Sequence, residues 1–119
     1  MRAEWIARGA SHISRAGVGD VGGLTPLMKA IHLAEAFGMC LEVHGGGPGN
    51  IHALAAMGIP GEYYERGPLH PLIDYEEPPP WLKSLVDPID AQGFVAVPQG
   101  PGLGMDLDFD YIESNLVDE

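Results

Sequence analysis

Apolar and polar positions repeat with the period of a helix from Leu27 to Phe37, within the stretch GVGDVGGLTPLMKAIHLAEAFGMCLEVH at 17–44. At 3.6 residues per turn the apolar side chains fall within one wide arc, which is typical of a helix that packs against a core. Thr25 is a favourable N-cap residue, and Pro26 suits the first helical position, where no backbone N–H is needed. The arc consists of Leu27, Ala30, Ile31, Leu33, Ala34 and Phe37, and Lys29, His32 and Glu35 lie opposite.

A short strand is predicted directly after this helix. Gly38 follows the last helical residue, as a left-handed C-terminal position prefers. The next five residues, 39–43, read Met-Cys-Leu-Glu-Val and are mostly apolar, which favours a strand buried on both faces. His44 then lies at the carboxyl end of the second strand of a β–α–β unit.

Weaker patterns extend the same alternation of helices and strands in both directions. Residues 1–8 are expected to be helical, and residues 11–16 are the best candidate for a preceding strand. Asn50 is a suitable cap for a short helix over residues 51–57. The aromatic segment 61–66, Gly-Glu-Tyr-Tyr-Glu-Arg, is typical of a third strand.

The spacing of these strands is that of a (β/α) barrel. They begin near residues 11, 39 and 61, close to the roughly 30 residues per β–α unit of a barrel of about 250 residues. From Gly67 onward, prolines exclude any long helix, so this half is expected to be an extended Pro/Gly-rich arm over a larger body. These prolines are Pro68, Pro71, Pro78, Pro79, Pro80, Pro88, Pro98 and Pro101. Within the arm we expect one helical turn at 81–85 and a short strand at 94–97.

Composition narrows the class of protein and of partner. With 119 residues, the chain is one domain at most or part of one, and its formal charge of −11 disfavours nucleic acid and anionic membranes. No run approaches 18 apolar residues, and the first residues lack the charged-then-apolar pattern of a signal peptide, so neither a membrane span nor a signal peptide is expected in this sequence. The lone Cys40, in a strand pattern typical of a buried site, fits a reducing cytosol, so a cytoplasmic protein is expected.

Two further motifs have a functional and a structural interpretation. Residues 45–50, Gly-Gly-Gly-Pro-Gly-Asn, could cradle a phosphate between a strand and a helix, but they lack the Lys-Ser/Thr ending of a P-loop. A flexible active-site loop is the favoured interpretation. Residues 106–110 alternate aspartate with apolar residues as the start of a calcium loop does, but Val117 stands where the bidentate glutamate belongs. An edge strand with solvated carboxylates is expected there.

Several segments together resemble the mandelate racemase/muconate lactonizing enzyme-like family of the enolase superfamily. They are GGLT at 22–25, AEAFG at 34–38, the strand that ends in His44, YYERG at 63–67 and VPQGPGLG at 97–104. The resemblance implies an α/β fold comprising the last three β/α units of a TIM-like barrel in residues 1–67. Residues 68–119 would then be the extended arm that closes the barrel.

The same resemblance implies a chemistry and a cofactor. Enzymes of this superfamily remove the proton alpha to a carboxylate while Mg²⁺ stabilises the ene-diolate. The chain is expected to be a C-terminal fragment of a dehydratase for a sugar acid or hydroxy acid, with its Mg²⁺ ligands upstream of residue 1. A small-molecule carboxylate substrate and a homo-oligomeric complete enzyme are implied. Alternatives are a racemase or cycloisomerase of the same superfamily, or a non-catalytic barrel piece that associates with another chain.

Roles for individual residues follow from the resemblance. His44 matches the general base or acid, for which an imidazole is suited by its near-neutral pKa. Glu65 matches the acid of the eighth strand, which hydrogen-bonds the substrate carboxylate when protonated. Gly45 and Gly46, in the loop after His44, are the candidate substrate-binding positions.

One position departs from the family pattern. The aspartate that normally orients the histidine corresponds to Gly17 here, and Asp20, three residues later, is the candidate replacement. Without an acidic partner, His44 would lose help in fixing its tautomer. The remaining histidines show no metal-ligand spacing, and His32 and His52 are expected to be solvated residues on helix faces.

Overall fold

Two parallel strands and the helix that connects them form the centre of the protein. The structure, a computed structural model, describes residues 2–59, 63–66 and 76–117. Its elements are α1 (Arg2–Ala7), β1 (Ile13–Ala16), α2 (Val18–Val21), α3 (Leu24–Ala36), β2 (Cys40–Val43), α4 (Pro48–Ala55) and α5 (Phe109–Ser114). Strand β1 pairs with β2 in parallel, with Ile13 opposite Cys40 and Ala16 opposite Val43. The β–α–β unit expected from the sequence is therefore present.

Helices α3 and α4 cover one face of this sheet. Side chains on the two strands alternate between covered and exposed, since successive residues of a strand point to opposite faces. Leu27, Ile31 and Leu41 are fully buried between helix and sheet, and burial of each stabilises the fold by about 1.5–3 kcal/mol. The core comprises Ala16, Leu27, Ala30, Ile31, Ala34, Leu41, Val43 and Ala53.

The opposite face of the sheet is open. Ile13 and Arg15 of β1, and Cys40 and Glu42 of β2, are all exposed there. The expectation that residues 39–43 are buried on both faces was therefore wrong, and so was the buried position given to Cys40. The physical reason is that nothing in the described part of the chain packs as a second layer on this face.

The start of α3 differs slightly from its sequence pattern. The helix begins at Leu24 with Gly23 as its N-cap, and not at Pro26 with Thr25 as the cap. The Gly23 carbonyl accepts the hydrogen bond of the Leu27 N–H at 3.2 Å, which extends the helix by two residues at its N-terminus. A short helix that the pattern did not reveal, α2, precedes it.

Helix α4 also begins earlier than expected. It runs from Pro48 to Ala55 with Gly47 as its N-cap, where residues 51–57 and a capping role for Asn50 were expected. Pro48 is tolerated because the first turn of a helix needs no N–H partner. Asn50 lies inside the helix, 6% exposed, and its side chain is engaged by the preceding loop.

The third strand, expected at 61–66, is not formed in the part of it that the structure describes. Residues 61 and 62 lie outside the described residues, and residues 63–66 form no strand. Leu82 and Ile89 of the arm make only isolated antiparallel bridges, to Leu107 and Val95. The strand expected at 94–97 is thus reduced to one bridge, and the helical turn expected at 81–85 is absent.

The acidic segment 106–110, where an edge strand was expected, makes one antiparallel bridge at Leu107 and enters helix α5 at Phe109. The Asp108 carboxylate accepts the Tyr111 N–H at 2.9 Å and caps α5. An aspartate at an N-cap position satisfies a backbone donor that the helix itself leaves unpaired. The edge strand expected over this segment is therefore limited to one bridge, and its second half is the capped start of a helix.

Many large apolar side chains remain exposed on the described residues. Trp5 is 59% exposed, Phe94 71% and Leu116 73%. The radius of gyration is 16.6 Å, whereas a self-contained domain of this length has one of about 13–14 Å. The chain thus presents surfaces that a larger body would cover. Across the described ranges, no helix combines the length and the apolar run needed to cross a bilayer.

Neighbouring residues of β2 provide a test of the one-sided core. Leu41→Ala should lower the free energy of unfolding by about 2–5 kcal/mol, because Leu41 is 1% exposed and its removal leaves a cavity. Cys40→Ala, on the open face, should change it by less than about 0.5 kcal/mol. Urea titration followed by circular dichroism measures both. Equal effects of the two substitutions would contradict the packing described.

Candidate active site

The carboxyl ends of the two strands meet at one edge of the sheet. The His44 N–H donates to the Ala16 carbonyl at 2.9 Å, which continues the strand pairing by one step. Gly17 and His44 therefore emerge side by side, at the edge where parallel α/β folds place their active sites. This arrangement positions His44 as expected from the sequence.

Three N–H donors converge on one oxygen of Glu65. Glu65 Oε2 lies 2.8 Å from His44 Nδ1, 2.6 Å from Arg15 Nη2 and 2.8 Å from the Gly45 backbone nitrogen. The three donors belong to the end of β2, to β1 and to the following loop. The structure thus brings together His44 and Glu65, the two residues for which the family resemblance implied roles in catalysis.

This convergence controls the protonation state of Glu65. The hydrogen bond from Arg15, followed by those from Gly45 and His44, lowers the pKa of Glu65 from 4.5 to about 2. Glu65 is therefore a carboxylate at neutral pH. That state is the opposite of the protonated form implied by the family resemblance, and the cause is the guanidinium of Arg15.

Arg15 was not among the residues singled out from the sequence. Its side chain is 52% exposed on the open face of β1. The contact with Glu65 raises the pKa of Arg15 above its usual value. The sequence feature that could have identified Arg15 is the alternation of side chains along β1. It places this charged residue on the face opposite the core residue Ala16.

Asp20 serves the backbone in this structure. Its Oδ2 accepts the Gly17 N–H at 2.9 Å and so completes the first turn of α2. Within the described part of the chain, no hydrogen bond joins Asp20 to His44. A catalytic role for Asp20 stays a prediction, without a contact to support it.

Gly17 has no room for a side chain. A Cβ at this position would overlap the His44 carbonyl oxygen, although the extended backbone at Gly17 is accessible to any residue. The acid that is absent from this position in the sequence is thus also excluded by the backbone geometry.

The loop 45–47 is held by hydrogen bonds that use its own polar groups. Gly45 donates to Glu65, and the Gly47 N–H donates to the Tyr64 hydroxyl at 2.5 Å. The Asn50 amide donates to the carbonyls of His44, Gly45 and Gly46 at 2.9, 3.0 and 3.2 Å. With two of its N–H groups engaged, the loop is not arranged as a phosphate cradle.

The Gly45 N–H is likewise engaged, so it is not free to meet a substrate in this conformation. Gly46 is exposed, and its predicted role in substrate binding stays a prediction. The role of Asn50 in holding this loop was not predicted, since its position suggested the N-cap of a helix. A polar residue on the inner side of an apolar helix was the signal that could have identified it.

A partly buried polar network fastens the C-terminal arm to this loop. The Tyr64 hydroxyl donates to Asp87 Oδ2 at 2.7 Å while it accepts from Gly47. Burial and the contact with Asp87 raise the pKa of Tyr64 above its usual range. Arg66 Nε lies 3.6 Å from Asp87 Oδ1, and the Arg66 side chain is 5% exposed. Asp87 thereby connects the arm to the segment that carries Glu65.

A nearby cleft and the set of possible metal ligands limit what this site can bind. A cleft of about 430 Å³ lies beside the polar network, lined in part by Arg66, Trp81, Asp87 and Met105, but not by His44 or Glu65. Within residues 2–59, 63–66 and 76–117, no group of three or more His, Cys, Asp or Glu side chains could hold a metal ion. The described residues therefore do not fit a magnesium centre by themselves.

The other histidines differ in environment. His32 is exposed on α3, as expected. His52 is only partly exposed, because α4 places it against the arm, where its Nε2 lies 3.3 Å from the Leu103 carbonyl oxygen. The expectation of a fully solvated His52 was therefore wrong.

Comparison with known proteins gives a consistent match. The family model described as enolase C-terminal domain-like matches residues 1–111. The crystal structure of D-glucarate dehydratase from Agrobacterium tumefaciens, complexed with magnesium, superposes with a TM-score of 0.90 at 55% sequence identity. The match covers 98% of this chain and 30% of that enzyme chain. No curated protein sequence gave a significant match.

Two glycines near the strand ends test the crowding at Gly17. Gly17→Ala should destabilise the fold by about 1–3 kcal/mol, because the added Cβ overlaps the His44 carbonyl and the backbone must shift. Gly19→Ala is the control: its Cβ would meet nothing within 4 Å, and alanine favours the helix by up to about 1 kcal/mol. Thermal unfolding of both variants measures the difference. Equal stability of the two variants would contradict the crowding.

Substitution of Arg15 tests the ionisation of Glu65. Arg15→Gln should raise the pKa of Glu65 from about 2 toward 4.5, because the largest stabiliser of the carboxylate is lost. In the unsubstituted chain, the Glu65 contacts stabilise the fold above pH 4.5, and this contribution is lost as the pH falls toward 2. A ¹³C NMR titration of the Glu65 carboxyl group measures the pKa directly.

The matched control is Arg8→Gln, which removes the same charge from an exposed surface pair with Glu4. It should leave the pKa of Glu65 unchanged. A normal pKa of Glu65 in the unsubstituted chain would show that the three donors do not act together.

Proposed function

Because the chain belongs to the enolase C-terminal domain-like family, we propose that it supplies the His44 side of the active site of a Mg²⁺-dependent sugar-acid dehydratase. D-glucarate or a related sugar acid is the proposed substrate, since the structural match is a D-glucarate dehydratase. The observation that carries the proposal is the contact of 2.8 Å between His44 Nδ1 and Glu65 Oε2 at the strand ends. It directs the other ring nitrogen, Nε2, away from the carboxylate.

His44 Nε2 is the proposed proton acceptor. In the described part of the chain it has no hydrogen-bond partner, and the imidazole is 45% exposed at the edge of the sheet. It would take the proton from the carbon alpha to the substrate carboxylate, and the electron pair of that C–H bond would form an ene-diolate. Loss of the neighbouring hydroxyl as water, with the proton that Nε2 has taken up, then gives an enol that converts to the keto acid.

The charge of the ene-diolate needs stabilisation from outside this pair. Glu65 is ionised and accepts three hydrogen bonds through Oε2, so it cannot donate one to a substrate carboxylate in this state. A bound Mg²⁺ supplies such stabilisation in this superfamily. Since the described residues hold no candidate metal cluster, its ligands are proposed to lie in other parts of the complete barrel.

The open face of the sheet supports a role as one sector of a larger body. Ile13 is 51% exposed on this face, and Arg15 and Glu42 lie beside it. In a closed barrel this face points to the interior, which side chains fill. The chain spans 30% of the matched enzyme chain, so the remaining strands are proposed to come from further sequence or from a partner chain. A homo-oligomeric complete enzyme and a cytoplasmic location stay predictions.

Two alternative functions can be distinguished from the dehydratase by an assay of D-glucarate turnover. A racemase or cycloisomerase would begin with the same proton transfer but would not release water, and the 55% identity to a dehydratase favours the dehydratase. A non-catalytic piece that associates with another chain is favoured by the exposed apolar side chains alone. It would form the assembly without turning over substrate.

Turnover of D-glucarate in the presence of Mg²⁺ tests the proposal, with the chain assembled into a complete barrel. His44→Gln should lower kcat by about 100-fold to 10,000-fold, because the proposed proton acceptor is removed. His32→Gln, on the exposed side of α3, is the control and should leave kcat unchanged. Dehydration that survives His44→Gln would overturn the proposal, and an inactive assembly would support the non-catalytic alternative.

A further inference from the structure

Among the residues that the structure describes, one acid contacts the imidazole at the strand ends, and it comes from a distant part of the sequence. His44 and Glu65 are separated by 21 residues, and Arg15 and Glu65 by 50. Asp20, the acid that the sequence suggested as the partner of His44, accepts the Gly17 N–H instead, and Gly17 itself leaves no space for a side chain. The geometry therefore leaves Glu65 as the group that fixes the ring.

We propose that Glu65 is the positioning residue of His44 and sets its tautomer, and that Arg15 anchors Glu65 for this purpose. As a role in proton transfer, this rests on the proposed function. As a statement about the ring and its partners, it can be tested without any turnover.

The tautomer follows from the chemistry of the contact. A carboxylate has acceptor atoms only, so the nitrogen 2.8 Å from Glu65 Oε2, Nδ1, must carry the hydrogen. In the neutral ring the second nitrogen, Nε2, then holds a free lone pair. The contact thus selects the form of His44 in which Nε2 can accept a proton.

Arg15 and Gly45 make this arrangement rigid. The Glu65 side chain is 35% exposed, and a single contact would leave it free to rotate. The Arg15 guanidinium reaches Oε2 from β1, and the Gly45 N–H reaches it from the loop. Because the donors belong to separate segments, a rotation of Glu65 that keeps His44 would break the other two contacts.

The experiment is a long-range ¹H–¹⁵N correlation spectrum of the ¹⁵N-labelled chain, recorded at a pH where imidazoles are neutral. We expect His44 to show a protonated Nδ1 and an unprotonated Nε2. His32, exposed on α3, is the internal reference, since a solvated imidazole favours the opposite tautomer. A His44 spectrum that matches that of His32 in the unsubstituted chain would overturn the proposal, whatever the variants do.

Glu65→Gln should shift both His44 nitrogens to the pattern of His32, because an amide is uncharged and can also donate. Glu113→Gln, an exposed position of α5, removes the same charge and should leave the His44 pattern unchanged. Arg15→Gln should shift the His44 nitrogen signals part of the way toward those of His32, because Glu65 loses its anchor. Arg8→Gln, which affects only the surface pair with Glu4, should leave them unchanged. An unchanged tautomer in folded Glu65→Gln would overturn the proposal.

These readouts separate the positioning role from the proposed function. A His44 tautomer that depends on Glu65 in a barrel that does not dehydrate sugar acids would support the positioning role and contradict the function. Dehydration that needs His44, with a tautomer that ignores Glu65, would support the function and overturn the positioning role.

Discussion

The parallel pairing of β1 with β2 is the constraint on which the site depends. With Ala16 opposite Val43, the two strands end at the same level, and the hydrogen bond from the His44 N–H to the Ala16 carbonyl extends the pairing to the histidine itself. Helix α3 holds the pair together because four residues of its apolar arc are buried against one face of the sheet, whereas Phe37 at its end is exposed. They are Leu27, Ala30, Ile31 and Ala34. A one-residue slip would turn every side chain of a strand to the opposite face and remove Arg15 from Glu65.

One face of this parallel sheet is exposed. A parallel sheet is normally covered on both faces, and here α3 and α4 cover only one. The open face carries apolar Ile13 beside charged Arg15 and Glu42, a mixture typical of a barrel interior near its active-site end. Membership of the enolase C-terminal domain-like family and the match to 30% of a dehydratase chain agree with this geometry.

The charges at the strand ends are arranged around one oxygen atom. Glu65 accepts hydrogen bonds from a guanidinium, an imidazole and a backbone amide, and this keeps it ionised at any pH near neutrality. Tyr64 and Arg66, its neighbours in the chain, are fastened to the arm through Asp87. The segment that carries Glu65 is thus held from both sides although it forms no strand, and hydrogen bonds replace the sheet in positioning its side chain.

The local part of this architecture was determined by the sequence alone. The periodicity of α3, the glycine after it and the apolar run of β2 are properties of neighbouring residues, so they predicted the β–α–β unit with His44 at its end. The resemblance of short segments was sufficient to identify the family, since the family model matches residues 1–111. The predicted starts of α3 and α4 were displaced by two and three residues, because Gly23 and Gly47 act as N-caps without a side chain to reveal them.

Tertiary structure alone decided the protonation state of Glu65 and its choice of partners. Arg15 lies 50 positions away in the sequence, and no local pattern indicates that β1 brings its guanidinium within 2.6 Å of Glu65. For the same reason Asn50, which was expected to be a helix cap, instead donates hydrogen bonds to the carbonyls of His44, Gly45 and Gly46. Periodicity reports which face a residue occupies, but hydrogen bonds between distant segments depend on how those faces are assembled in space.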